Sequence, residues 1–273
     1  MRSWLSVATI TIWILFASTS AWSEPRVAVR GEGFVGYDHV DFGPVDEDAF
    51  EGGGGISAAL TGDRFYLQGD VLGDSIQYDD IGPFDADLDS DSVVAALHLG
   101  WRNPERGALG IAGLYEHLEF ETRGAGFLSG SSDSEVWRGG VEGELFLGPV
   151  SLAANAGLLQ LQDDTTGYVD FGIAFYPTER ARVHLGGGVA DIEESEPWGL
   201  IGAGGELLLL DPLSLFARWD ATLVDDDTDY EHHSFVVGAR LYWGAETPSL
   251  LVYDRSYFKR TCVAPIFVTG RTC

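Results

Sequence analysis

The stretch from residue 198 to residue 227, WGLIGAGGELLLLDPLSLFARWDATLVDDD, contains two apolar runs separated by the turn-forming pair Asp211-Pro212. In the second run the apolar side chains recur at every other position, and Arg218 and Asp220 fall between them. A period of two is the signature of a β-strand with one apolar face. That face consists of Leu213, Leu215, Ala217, Trp219, Ala221 and Leu223. The stretch is therefore predicted to form a β-hairpin.

The turn of this hairpin sets which side chains face each other. Opposed residues on antiparallel strands point to the same side of a sheet. A three-residue turn over 211–213 satisfies this condition and predicts Glu206 opposite Arg218. It also predicts Gly205 beside Trp219, where the indole ring would cover the bare glycine.

The unit of strand, turn and strand recurs through most of the chain, and no long helical pattern competes with it. We predict twelve strands, near residues 26–37, 54–61, 64–73, 92–102, 108–120, 135–147, 149–160, 167–176, 181–190, 198–210, 213–223 and 233–244. Connections after the even-numbered strands are tight. Most connections after the odd-numbered strands are longer and acidic, notably 38–53, 77–91, 191–197 and 225–233.

An even number of strands, with short connections at one end and long ones at the other, is typical of outer-membrane barrels. In these features the chain resembles the transmembrane β-barrels of the bacterial outer membrane, and no narrower family is indicated. The resemblance implies an all-β fold, an antiparallel up-and-down barrel of about twelve strands with short periplasmic turns and longer acidic outer loops. It also implies an outer-membrane location, contact with outer-membrane lipid, lipopolysaccharide and the assembly machinery, and no cofactor.

Alternation alone does not decide which face of the barrel is outside, because a soluble lipocalin-like barrel has the same period with its apolar face inside. Charges of both signs on the polar face, and aromatic residues near the strand ends, favour the membrane interpretation. The expected aromatic girdles contain Trp101, Phe175 and Trp243 at the tight-turn end, and Tyr37, Phe120, Trp137 and Phe235 at the other end. The strand at 108–120 is ambiguous, because Glu116 falls on the face of Leu114 and Leu118.

The two ends of the chain lie outside the predicted barrel, which spans residues 24–245. Residues 1–23 combine a positive start, an apolar middle and small residues before position 24, as in a secretory signal peptide. Residues 246–273 form a tail that we place in the periplasm beneath the barrel; the alternative is a plug that folds up into the lumen. Because the chain is exported, Cys262 and Cys273 are expected to form a disulfide.

Composition limits the partners of the protein. The formal net charge of −27 excludes a generic nucleic-acid-binding surface. The acidic outer segments could hold divalent cations that bridge to lipopolysaccharide phosphates, or they could form a solvated acidic surface. Residues 85–92, DADLDSDS, come nearest to a calcium-binding EF-hand loop but lack its central glycine and final glutamate.

The charges on the polar strand faces are the strongest functional signal. The predicted lumen or constriction residues are Arg30, Glu32, Asp70, Arg138, Glu142, Asp170, Arg182, Glu206, Arg218, Asp220 and Arg240. Opposed charges of this kind could orient small solutes in an open pore. They could equally pair across strands and fill the lumen, because a barrel of this size encloses only a modest interior.

Three functions are therefore compared. A narrow porin-like channel for passive diffusion of small solutes or ions is the prediction, and a closed barrel with a structural or surface-interaction role is the alternative. A lipid hydrolase is a weaker alternative, because its best local candidate is Glu231-His232-His233-Ser234, where His233 and Ser234 point to opposite strand faces. His98, His117 and His184 are assigned to the lumen, no metal site is predicted, and the protein is predicted not to be an enzyme.

Overall fold

The computed structural model describes residues 25–42, 45–81, 86–123, 130–161, 164–190, 198–224, 230–244 and 249–258. These described ranges contain twelve β-strands: β1 (Arg26–Phe42), β2 (Val45–Thr61), β3 (Phe65–Ile81), β4 (Ala86–Asn103), β5 (Gly107–Arg123), β6 (Gly130–Leu147), β7 (Val150–Leu161), β8 (Asp164–Thr178), β9 (Ala181–Ala190), β10 (Trp198–Leu210), β11 (Leu213–Val224) and β12 (Tyr230–Trp243). Each strand pairs antiparallel with its chain neighbours, and β12 pairs with β1 from Val29–Trp243 to Asp41–Glu231. The predicted closed antiparallel barrel is confirmed.

The outward face of the barrel is apolar, as the membrane interpretation predicts. Leu109, Ile111 and Val141 are 59–65% exposed, whereas the inward-facing Asp70 and Glu142 are 3% exposed. In hydrocarbon, a closed barrel satisfies every backbone hydrogen bond internally. Closure of the sheet thus pairs the backbone groups, and the outward apolar face suits contact with lipid.

Six of the seven residues expected in the aromatic girdles point outward. Trp101, Phe175 and Trp243 are 43–47% exposed, and Tyr37, Trp137 and Phe235 are 50–53% exposed. Phe120 was placed wrongly, because it packs inside the barrel against a buried cluster that contains Leu118 and Val136. Its strand also carries Leu114 and Leu118 inward, so toward the loop rim the inner face of β5 is apolar apart from the buried Glu116.

We call the end of the barrel with short connections the turn rim, and the opposite end the loop rim. The turn rim contains the connections 62–64, 104–106, 148–149, 179–180 and 211–212, which are tight as predicted. The hairpin register is different from the prediction: Glu206 lies opposite Phe216, Gly204 opposite Arg218, and Ala203 opposite Trp219. A two-residue turn and an irregularity between Leu208 and Leu210 produce this register. Alternation could not distinguish it from the predicted one, because a shift of two residues preserves every face.

The strands extend much further toward the loop rim than the sequence predicted. β1 to β6 are 17 or 18 residues long, against 10–15 for β7 to β12. Crossing the hydrocarbon takes only about 9–11 residues. Most of the segments at 38–53, 77–91 and 121–134, which were predicted as loops, are therefore strand. Above the membrane polar residues occur on both faces, so the apolar–polar alternation of the sequence ends while the backbone pairing continues, and inward side chains such as Asp38 and Glu51 stay buried. Residues 191–197 and 225–229 lie outside the described residues.

A short helical piece follows the barrel. A single turn α1 (Leu250–Val252) continues into a π-helical turn, Tyr253–Tyr257, and both lie against the inner wall at the turn rim. Residues 249–258 therefore enter the barrel mouth instead of packing beneath it. Among the described residues, no helix is long and apolar enough to cross a membrane. The expected signal peptide and the cysteine pair lie outside the described residues.

Candidate functional site in the barrel interior

The charged residues selected from the sequence all lie on inward strand faces. Their side chains range from 0% exposed for Glu206 to 12% exposed for Arg218 and Arg240. Burying a charge is costly unless it is paired and hydrogen-bonded. The arrangement of partners therefore determines what this interior can do.

Glu206 is the centre of a network near the turn rim. It accepts hydrogen bonds from Arg182 at 2.6 Å and from Arg240 at 2.7 Å. Ser214 and Tyr242 donate to its other oxygen at 2.5 and 2.7 Å. Arg240 also donates to Glu32 at 2.6 Å. The partner predicted for Glu206, Arg218, instead forms an ion pair with Asp220 on its own strand.

A second network lies around His98 and joins β3, β4 and β6. Its Nε2 atom lies 3.3 Å from Asp70, and its Nδ1 atom lies 2.8 Å from Glu142. Gln68 donates to Asp70 at 2.9 Å, and Tyr66 donates to Glu142. His98 therefore joins two carboxylates from different strands. The sequence predicted that His98 faces the lumen, but it did not predict these two partners.

Aromatic side chains pack against glycines along the inner wall, and arginines lie over the rings. The Tyr66 side chain occupies the position that a side chain at Gly100 or Gly110 would take. Tyr168 does the same at Gly140, and Phe216 does the same at Gly238. The guanidinium carbon lies 5.0 Å from the ring centroid for Arg102 over Tyr66, 3.9 Å for Arg138 over Tyr168, and 4.1 Å for Arg240 over Phe216. Each arginine also reaches a carboxylate; Arg138, for example, donates to Asp170 at 2.6 Å. These stacks extend from the wall into the interior.

Apolar clusters occupy the space between the charged groups. Leu72, Val94, Ala96 and Leu114 form one cluster, and Phe34, Phe216 and Val236 form another. Two more clusters lie toward the loop rim. One contains Leu118, Val136, Leu159 and Tyr168, and the other contains Ala49, Ile76 and Tyr78. A cavity of about 30 Å³ lies beside His98, Arg138 and Glu142. It has room for a water molecule or two and offers polar partners to them.

Residues 249–258, which we call the C-terminal segment, close the turn rim. Asp254 accepts hydrogen bonds from Arg182 at 2.5 Å and from Tyr176 at 2.6 Å. Tyr253 stacks on Tyr242 with 4.4 Å between ring centroids. The segment and the wall residues around it form one buried apolar cluster: Ala28, Ala59, Ala174, Tyr176, Leu208, Tyr242, Leu250, Tyr253, Tyr257 and Phe258.

The Glu231–Ser234 segment does not have the geometry of a serine hydrolase. His232 and Ser234 both point inward, but Ser234 donates to Glu51 at 2.7 Å and His232 lies 2.5 Å from Asp38. His233 lies on the outer face, stacked 6.0 Å from Trp219. His117 also lies on the outer face of β5, so its assignment to the lumen was wrong; His184 does face the lumen, over Gly204.

The loop-rim extensions carry acidic residues on their outer faces. Arg123 lies 3.0 Å from both Asp89 and Glu121. The hydrogen bond and charge of Arg123 hold the pKa of Glu121 below its ordinary value. Within the described part of the chain, no group of three or more histidine, cysteine, aspartate or glutamate residues could hold a metal ion.

The chain matches no known protein-family model and no curated protein. Among solved structures, it is similar to the translocator domain of the autotransporter NalP from Neisseria meningitidis, at 14% identity and a TM-score of 0.55 over 87% of this chain and 96% of that one. It is also similar to the β-domain of the Bordetella autotransporter BrkA, at 12% identity and a TM-score of 0.51 over 79% of this chain and 99% of that one. At such identities the likeness establishes the fold alone. The fold is that of the β-barrels of the bacterial outer membrane, and no narrower family is defined.

Proposed function

We propose that the protein is a closed, non-conducting outer-membrane barrel with a structural or surface-interaction role in the envelope. One observation carries the proposal: no inward charged side chain of the two central networks is more than 12% exposed. Residues that line an aqueous pore keep one side in water. Here salt bridges, aromatic stacks and apolar clusters take the place of that water, and the C-terminal segment covers the turn rim.

The role at the surface would belong to the extensions of β1 to β6. They carry paired backbone beyond the aromatic girdle, and their outer faces present carboxylates such as Asp91 and Glu119. Lipopolysaccharide, with divalent cations between its phosphates and these carboxylates, is the partner that such a surface favours. No catalytic step belongs to the proposal, because Ser234 donates to a carboxylate and not to histidine.

A narrow porin-like channel is the competing function. It is favoured by the charges of both signs in the middle of the lumen, where Arg30, Glu32 and Asp70 lie together. In such a channel these groups would set ion selectivity at a constriction. The two proposals differ in one measurable property, the conductance of the folded protein.

Conductance across a planar lipid bilayer tests the proposal. The refolded protein, with folding checked by its heat-dependent shift in gel mobility, should insert without discrete current steps. Steps in single-channel recordings would contradict closure and support the channel. In that case exchanging Arg138, Arg218 and Arg240 for glutamate should shift selectivity toward cations, and unchanged selectivity would remove these residues from the constriction.

A further inference from the structure

The mouth at the turn rim has the features of a binding site that exists without its occupant. β1 and β12 pair along their length, so the sheet is closed without the C-terminal segment. The wall around the segment includes the small residues Ala28, Ala59 and Ala174, which leave room for a bulky guest. We call this space the vestibule.

The polar anchor of the vestibule is held in place by the barrel itself. Arg182 uses its Nη2 atom to bind Glu206 at 2.6 Å, and its Nη1 atom points to Asp254. Tyr176 of β8 donates to the same Asp254 oxygen. A guanidinium that the wall holds through Nη2, with Nη1 directed at the segment, is a preorganised donor for a carboxylate.

Aromatic and backbone contacts give the vestibule further selectivity. Tyr242 stacks on Tyr253, and Arg30 lies 5.2 Å from the ring centroid of Phe258. Arg255 donates to the carbonyl oxygens of Gly148 and Val150 at 2.6 and 2.9 Å. The segment thus binds through an aspartate flanked by aromatic rings, and through a cation that contacts the wall backbone.

We propose that the vestibule is a peptide-binding site, that the C-terminal segment occupies it as an exchangeable ligand, and that it accepts peptides with an aspartate between aromatic residues. The pattern is Tyr-Asp-Arg-x-Tyr-Phe, as at 253–258. Closure of this rim is then a binding equilibrium set by the segment and by any competing peptide. This inference concerns the vestibule and does not depend on whether the central lumen conducts.

Severing the tether in the folded full-length chain tests the inference. A protease site placed at 245–248 is cut in detergent, and completeness is checked on a denatured sample. The severed segment should stay with the barrel through gel filtration, and excess synthetic SLLVYDRSYF should displace it. The same peptide with asparagine for aspartate should displace it at least tenfold less effectively.

Two variants test whether the C-terminal segment is a bound ligand or an integral part of the barrel fold. Asp254→Asn in the chain should speed loss of the severed segment at least tenfold, while Ser256→Ala, which changes none of the contacts above, should leave its retention unchanged. Immediate loss of the wild-type segment would overturn the proposal. So would collapse of the heat-dependent gel shift on cutting, or failure of the peptide to displace the segment.

Discussion

Single glycines on the inner wall determine how closely the strands and the aromatic rings approach. A Cβ atom at Gly110 would meet the Leu99 carbonyl oxygen at 2.6 Å and the Gly100 Cα atom at 3.2 Å, and it would also strike the Tyr66 hydroxyl. Backbone atoms of a paired strand cannot move aside without disturbing the ladder. The Tyr66 ring and the arginine above it therefore depend on the absence of a side chain at this position.

Gly110→Ala should lower the free energy of unfolding by about 2 kcal/mol, because it overpacks the wall beneath Tyr66. Gly113→Ala on the same strand is the matched control, since its Cβ atom would come no nearer than 3.9 Å to the Arg138 carbonyl oxygen. Urea unfolding in detergent micelles measures both. Equal stability of the two variants would show that the ring does not rest on Gly110.

At the scale of whole elements, the extensions of β4, β5 and β6 bring like charges together. Asp91 lies opposite Glu119, and Glu119 lies opposite Asp133, all on the outer face. Directly opposed like charges destabilise an antiparallel pair. One row closer to the loop rim, Arg123 neutralises Asp89 and Glu121.

Asp91→Asn should therefore raise the free energy of unfolding by up to about 1 kcal/mol at low ionic strength. This gain in the free energy of unfolding should vanish at about 1 M salt, where exposed charges are screened. Asp89→Asn is the control, because it removes a partner of Arg123 and should give no gain. A salt-independent effect of Asp91→Asn would exclude like-charge repulsion as the cause.

The elements also show where a local pattern stops being informative. The alternation within 213–222 correctly assigned each side chain to a face. It could not choose the register of β10 against β11, and so it paired Glu206 with Arg218. The acidic stretch at 38–53 was assigned to a loop because polar residues on both faces hide a strand above the membrane. Phe120 was placed in the girdle because it is aromatic and lies near a strand end, although it falls on the inward face with Leu118.

For the whole molecule, the outward orientation of the apolar face has a spectroscopic consequence. Trp137 is 53% exposed at the outer wall, whereas Trp198 packs against the interior cluster near the loop rim. A variant that keeps only Trp137 should lose most of its fluorescence in lipids brominated near the headgroup. A variant that keeps only Trp198 should be much less affected, and equal quenching of the two would contradict the assigned faces.

The C-terminal segment shows how far the whole molecule departs from its sequence pattern. Residues 246–273 were predicted to lie beneath the barrel. The position of the described part, the C-terminal segment, depends on Arg182, Tyr176 and Tyr242, which lie on three different strands. Only the closed barrel brings these three side chains to one vestibule, so no local reading of the sequence could identify it.

The sequence by itself determined the number of strands, their inner and outer faces, and the rim with tight turns. These properties follow from the period of two in the side chains and from the need to pair backbone hydrogen-bonding groups in lipid. Both act within short stretches of the sequence. The tertiary structure alone decided the strand register, the length of the strands beyond the membrane, the partners of each buried charge and the position of the C-terminal segment. These depend on which distant residues meet, and alternation is unchanged when a strand slides by two.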